Sequence, residues 1–241
     1  MLKAVFFDLD GTLLPMDNDA FTKGYFKMLI KKLAPRGYEG QTLIDAIWTG
    51  TAAMVRNDGS RTNYEAFWET FAATLGERVY EDQPLFEEFY NVDFNAAASL
   101  CGSREISGRA VKEIKAMGLR VILASNPIFP MQAQLNRMGW AGVDPADFEL
   151  ITSYEESRYC KPNPKYYSEL CKQLGLEPEE CLMVGNDVDE DMVAQALGMK
   201  VFLLTYDMIN RHDKPIDCYP HGTMEAALEY ISSLVTESTN K

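Results

Sequence analysis

Five short apolar runs constrain the fold of this chain more than any other feature: AVFFDL near the start, then LRVILAS, FELITS, ECLMVG and KVFLLT, each followed by turn residues. From about Glu105 onward these runs alternate with helical stretches. Strands that alternate with helices fold as β-α units, giving an α/β class with a parallel sheet and helices on both faces. From Pro15 to Asn95 no comparable run occurs. That stretch carries helical patterns instead: AFTKGYFKMLIKKL with Phe21, Tyr25, Met28, Leu29 and Leu33 on one stripe, TLIDAIWTGTAAMV, NYEAFWETFAATL and PLFEEFYNV. A helical insertion is therefore expected after the first strand, dividing the chain into an α/β core (1–15 and 96–241) and an all-helical unit (16–95). Turn-rich breaks at PRGYEG and RNDGSR separate its helices. The tail TESTNK is expected to fray.

With 241 residues, 46% of them apolar, the chain has enough material for a sizeable core. No run approaches the roughly 18 apolar residues that span a bilayer, and MLKAVFFDLD meets a charge too early for a signal-peptide apolar region. Five cysteines (Cys101, Cys160, Cys171, Cys181, Cys218) without a C-x-x-C pair argue for reduced thiols rather than a disulfide framework or a zinc knuckle. A cytoplasmic location is the expectation. The formal charge of −13 argues against nucleic acid or an anionic membrane as partner, since both demand a basic face. An anionic ligand would need a local positive site.

Ligands of open α/β sheets sit beyond the carboxyl ends of the strands. The first run ends on Asp8-Leu9-Asp10-Gly11-Thr12; the second ends at Ser125 before Asn126-Pro127; the third leads to CKPNPKYY with Lys161; the fourth ends at Gly185 before Asn186, Asp187 and Asp191. Two carboxylates two residues apart at the end of a buried strand repel each other and lose hydration unless something positive lies between them. All four strand ends, or the turns after them, carry groups suited to phosphate and metal chemistry.

Taken in order, D-x-D-G-T, a strand-end Ser, K-P-N-P opening a helix and G-N-D-x-x-x-D resemble the motifs of the haloacid dehalogenase-like hydrolase superfamily. The resemblance covers most of the α/β part. It is to the magnesium-dependent phosphatase branch with a helical (C1-type) cap, and it implies a Rossmann-like core plus an inserted cap domain. It further implies a Mg2+-dependent phosphomonoester hydrolase acting on a small phosphorylated metabolite through an aspartyl-phosphate. Asp8 would be the nucleophile. Asp10, on the same side of an extended chain, would protonate the leaving oxygen and then deprotonate water. Thr12, Ser125 and Lys161 would bind phosphate, and Asp8, the Asp10 carbonyl and Asp187 would hold the metal, whose charge makes the crowded carboxylates tolerable. The fourth motif departs from the commoner Gly-Asp, moving the metal carboxylate to Asp187 and leaving Asn186 a supporting residue of undefined role.

Plainer readings stand beside these. Ser125 also suits a turn, and Asn126-Pro127 suits a helix cap and first helical residue, with Asn126 in a supporting place. Lys161 precedes another such pair, Asn163-Pro164, backed by a stripe of Tyr167, Leu170, Cys171 and Leu174. Asp191, four residues after Asp187, suits a role orienting Lys161 or water. In the helical insertion Lys23, Lys27, Arg56, Asn57 and Trp48 are candidate substrate contacts or ordinary helix-face and core residues, and Thr49-Gly50-Thr51 suggests an interruption. His212 and His221 have no metal-like partner in the sequence. A phosphomutase or other phosphotransferase, and an aspartate-phosphorylated regulatory module, are the alternative functions; a dehalogenase would need neither Asp10 nor Asp187. A monomer or homodimer is expected.

Overall fold

The computed structural model describes residues 1–239. Six strands form one parallel sheet in the order β3-β2-β1-β4-β5-β6. They are β1 (Ala4–Phe7), β2 (Arg120–Leu123), β3 (Leu150–Ile151), β4 (Cys181–Gly185), β5 (Lys200–Leu204) and β6 (His221–Gly222). The sixth was not legible as a strand: it is two residues long and lies at the edge beside β5. In the centre, β1 pairs with β2 on one side and β4 on the other, Phe7 lying opposite Leu123 and Val184. Strand order reverses between β1 and β4, which is where an open α/β sheet leaves a crevice beyond its carboxyl edge.

Period-two alternation builds two cores. Val5, Phe7, Val121, Leu123, Leu182 and Val184 face one side, against α6 (Glu105–Ala116), α7 (Met131–Trp140) and α9 (Met224–Thr239). Ala4, Phe6, Ile122, Ala124, Met183 and Val201 face the other, against Tyr166, Tyr167 and Leu170 of α8 (Pro164–Leu174). Burial on both faces is why these strands read as continuous apolar runs. Helix α9 reaches Thr239; the last two residues of the tail expected to fray lie outside the described residues.

Five helices lie between β1 and α6: α1 (Asn18–Leu33), α2 (Gly40–Val55), α3 (Asn63–Leu75), α4 (Arg78–Glu81) and α5 (Gln83–Asn91). Asp17 caps α1 by accepting from the N–H groups of Asp19 and Ala20, and Thr62 with Glu65 forms a capping box on α3. Contrary to the expected break, α2 runs unbroken through Thr49-Gly50-Thr51. Gly50 is there for packing: a Cβ would lie 2.7 Å from the ring of Phe67 on α3, so its absence lets α2 and α3 close together. Phe71 and Phe89 are fully buried beneath these helices, in the same apolar cluster as Phe7 and Leu9.

Candidate active site

After β1 the chain makes a tight turn in which the Leu9 carbonyl accepts from the N–H groups of Thr12 (3.2 Å) and Leu14 (2.8 Å). Gly11 has φ +82°, and a Cβ there would fall 2.2 Å from the side-chain nitrogen of Asn186. Glycine is thus required twice, by backbone angle and by the close approach of the β4 loop. Asn186 fills that contact: its Oδ1 accepts from the Thr12 hydroxyl at 3.0 Å and its Nδ2 donates to the Asp207 carbonyl at 2.6 Å. The residue whose role the sequence left undefined ties the β1 turn to the β4 loop.

The turn leaves Asp8 buried with both carboxylate oxygens engaged. Lys161 Nζ donates to Oδ1 at 2.9 Å, and the Thr12 hydroxyl lies 3.2 Å from Oδ2. Lys161 is itself buried and donates at 2.6 Å to Asp191 Oδ1, while Asp191 Oδ2 accepts from the Asp187 N–H at 2.9 Å. A Cβ at Gly185 would overlap this second oxygen, 2.1 Å away, so glycine at the end of β4 makes room for Asp191. Burial pushes Asp191 up to about 7 against the pull of Lys161, and the charge of Asp8 adds to the rise. The two carboxylates hold the Lys161 ammonium well above the ordinary lysine range despite burial. Lys161 therefore carries its charge into an acidic pocket at neutral pH.

Asp10 has a partner that the motif does not contain. Arg137, fully buried on α7, donates from Nη1 to Asp10 Oδ2, from Nη2 to Gln134 Oε1 and from Nε to the Ala133 carbonyl at 3.2 Å. Its guanidinium lies over the Phe129 ring, 4.4 Å from the centroid. Burial raises the Asp10 carboxyl above the usual carboxylate range, Arg137 pulls it down and Asp8 pushes it up. The other oxygen, Oδ1, is buried without a hydrogen-bond partner. Arg137 shares the buried face of α7 with Ala133, Gln134 and Met138, and nothing local in the sequence marks it as the partner of Asp10.

Ser125 is buried beyond β2, its carbonyl held by the hydroxyls of Thr152 and Tyr166, both at 2.8 Å. Asn126 is not a helix cap, because α7 begins at Met131 with Pro130 at its N-cap. Its side chain instead accepts from the Lys161 N–H at 3.2 Å and donates to Glu190 Oε2 at 3.0 Å. Asn163 does cap α8, accepting from the Lys165 N–H at 3.0 Å. Asp187 Oδ1 accepts from the N–H groups of Asp189 and Glu190, and Oδ2 accepts from Arg211 Nη1 at 2.6 Å. Arg211 reaches it because Ile209 pairs with Asp187 across an isolated bridge, a long-range contact with no sequence signature.

Ser125, Asn126, Asp8, Asp10, Asn186, Asp187, Glu190 and Asp191 line a polar cavity of about 180 Å³. Thr12 and Lys161 lie behind its wall, with the Thr12 hydroxyl and N–H engaged inside the turn. Among the described residues no three Asp, Glu, His or Cys side chains converge closely enough to ligate an ion by themselves. The Asp8 and Asp187 carboxylates with the Asp10 carbonyl form an all-oxygen set, which fits a hard cation that keeps part of its water. His212 and His221 are exposed, His212 3.9 Å from Asp189 and His221 beside the Tyr219 carbonyl. Lys23, Lys27 and Arg56 are exposed, Asn57 is buried on Asn63 and the Arg61 carbonyl, and Trp48 is half exposed beside a second, larger cavity.

A six-stranded parallel sheet with four polar loops at its carboxyl edge defines an α/β protein of the kind that binds ligands beyond the strand ends. Residues 2–198 match the family model for haloacid dehalogenase-like hydrolases, and the chain belongs to that family. It is 28% identical over 211 residues to the glyceraldehyde 3-phosphate phosphatase of Methanothermobacter thermautotrophicus, covering 86% of this chain and 88% of that one. It is 26% identical to the phosphoglycolate phosphatase of Nitrosospira multiformis, covering 90% and 89%. A solved HAD phosphatase from Thermococcus onnurineus shares the fold with a TM-score of 0.58 at 17% identity, covering 95% and 98%. No helix among the described residues is long and apolar enough to cross a membrane.

Proposed function

We propose that this chain is a Mg2+-dependent phosphomonoester hydrolase that works through an aspartyl-phosphate on Asp8. One observation carries the reading: the Asp8 carboxylate is held between Lys161 and Thr12 at the wall of the polar cavity, with Asp10 two residues on in the same wall. Lys161 and Thr12 fix the Asp8 carboxylate for in-line attack on phosphorus, and the lysine charge offsets the repulsion between carboxylate and phosphate dianion. Ser125 lines the same cavity and supplies a hydroxyl to the phosphoryl oxygens. Asp10, kept protonated further up the pH scale by burial, gives its proton to the leaving alkoxide and then takes one from the water that cleaves the acyl phosphate. Asp8, the Asp10 carbonyl and Asp187 would hold magnesium, which would supply neutralisation of charge on the phosphoryl oxygens. Residues 16–95 form the cap that covers this site and contacts the leaving group. The phosphatase names of the relatives support this reading.

Release of phosphate from p-nitrophenyl phosphate, with magnesium and with chelator, by wild type beside Asp8→Asn, tests it. Activity that requires both magnesium and Asp8 is expected; turnover retained by Asp8→Asn overturns the nucleophile.

A further inference from the structure

The polar cavity opens into a second cavity of about 580 Å³ between the helical insertion and the sheet. Asp10, Asn18, Phe129 and Arg211 line both. Resting on the phosphatase reading, we infer that this chamber receives the alcohol part of the substrate, and that this alcohol is uncharged, ring-bearing and much larger than a two- or three-carbon unit.

The wall is built from ring faces. Tyr25, Trp48, Phe67, Phe86, Tyr90 and Phe129 contribute from four helices and the β2 loop. The polar tips of five of its aromatic residues, Tyr25, Tyr64, Trp68, Tyr90 and Tyr154, engage one another or a neighbour. The Tyr25 and Tyr90 hydroxyls are 2.8 Å apart, Gln83 donates to the Tyr64 hydroxyl at 2.9 Å, and Trp68 Nε1 donates to the Tyr154 hydroxyl at 3.4 Å. The surface offered to a ligand is mostly rings and aliphatic side chains, with the side chains of Asn18 and Thr22 as polar points among them. Trp48 is 51% exposed, its ring edge-on to Phe26 with centroids 5.5 Å apart, and it lies on this wall. A large aromatic left half bare at the edge of a cavity gains most from a planar partner.

Charge in the chamber argues the same way. Among the described residues its lining holds one cation, Arg211, at the end shared with the polar cavity and already bonded to Asp187, while Arg137 stands behind the wall, bonded to Asp10. The other charged residues of the wall are acidic: Asp10, Glu87 and Glu155. Lys23, Lys27 and Arg56 are absent from it. A substrate carboxylate or second phosphate placed here would lose its hydration, and the lining offers it no unpaired cation among the described residues. Glu155 is spent on the Met131 N–H at the start of α7, and Glu87 lies at the solvent-exposed rim, so neither stands inside as a counter-ion for a cationic alcohol. The volume belongs to sites for ligands of drug size, roughly 300–1,000 Å³.

The test separates binding from turnover. Calorimetric titration with magnesium present would compare naphthylmethylphosphonate, phosphonoacetate and trimethylammonioethylphosphonate, which hydrolysis cannot consume, on wild type and Trp48→Ala. The matching phosphate esters would then be assayed for turnover. The aryl phosphonate is expected to bind at least about tenfold tighter than either charged one, with most of that advantage lost in Trp48→Ala, as a stacking contribution near 1.4 kcal/mol requires. Trp48 is exposed, so its removal leaves the fold intact, checked by an unchanged melting temperature. Equal affinities, a preference for either charged phosphonate, or no binding of the aryl compound overturns the inference, and turnover of the other esters would leave the phosphatase reading standing. Aryl selectivity in binding without hydrolysis of any ester supports the inference and overturns the phosphatase reading.

Discussion

The two cavities that meet at Asp10 are opposites in composition and construction. The polar one, about 180 Å³, is walled by carboxylates, amides and one serine carried on loops beyond β1, β2 and β4. Its chamber neighbour, about 580 Å³, is walled mainly by rings and aliphatic side chains on helices. The first is fixed by parallel strands in register; the second depends on how closely helices pack. The polar site is thus placed by strand ends and the turns that follow them, and the chamber by the spacing of packed helices.

That contrast can be broken by mutation. The largest effect is expected from Asp8→Asn, which removes the nucleophile at nearly constant volume: turnover should vanish while the melting temperature holds, read by phosphate release beside thermal unfolding. Asp10→Asn should slow turnover by about 10²- to 10⁴-fold. An ester with a good leaving group should suffer less, and an equal loss on good and poor leaving groups would remove Asp10 from acid catalysis.

Arg137→Met tests whether the two halves share a part. It leaves Asp10 without its buried partner and should cost about 3–5 kcal/mol in denaturant unfolding. Because the guanidinium pulls the Asp10 carboxyl down, its loss lets that carboxyl keep its proton to higher pH. The alkaline limb of kcat/KM should then move upward; an unmoved limb would mean that another group sets it. The smallest effect is expected from Gly50→Ala. Its methyl meets Phe67, an overpacking cost of roughly 1–3 kcal/mol offset by about 1 kcal/mol of helix propensity. Net destabilisation should stay under about 2 kcal/mol, and aryl preference should drop as Phe67 shifts in the chamber wall.

Sequence made these two regions unequally legible. Asp8, Asp10, Asn186 and Asp187 stand at the ends of apolar runs, so sheet geometry gathers them and the sequence announces where. Lys161 was readable only through the K-P-N-P motif, since the cap two residues later equally suits an ordinary helix-entry lysine. Arg137 was hidden because one cation among apolar helix positions resembles a surface residue until its neighbours are known. Arg211 was hidden because a turn 24 residues from Asp187 gives no local sign of folding back on it. The chamber was the least readable. Tyr25, Phe67 and Phe86 look like core in any helical pattern, and only the packing of α1, α2, α3 and α5 decides which rings border empty space. Gly50 shows the same limit: a loop-like triplet in the sequence is a packing device in the fold.

Asn63, the first residue of α3, is fully buried among the loops that carry the chemistry. Its N–H donates to the Ser157 carbonyl at 2.8 Å, and its side-chain nitrogen donates to the Pro127 carbonyl at 3.2 Å and lies 3.3 Å from Cys160 Sγ. Pro127 is two residues from Ser125, and Cys160 is next to Lys161. The helices are thus tied to the Pro127 carbonyl after β2 and to the Cys160 thiol beside Lys161. With the Tyr64 N–H on the Tyr154 carbonyl at 2.8 Å and Asn136 Nδ2 on the Tyr90 carbonyl at 2.7 Å, this tie would have to break before the helices could lift straight off the sheet.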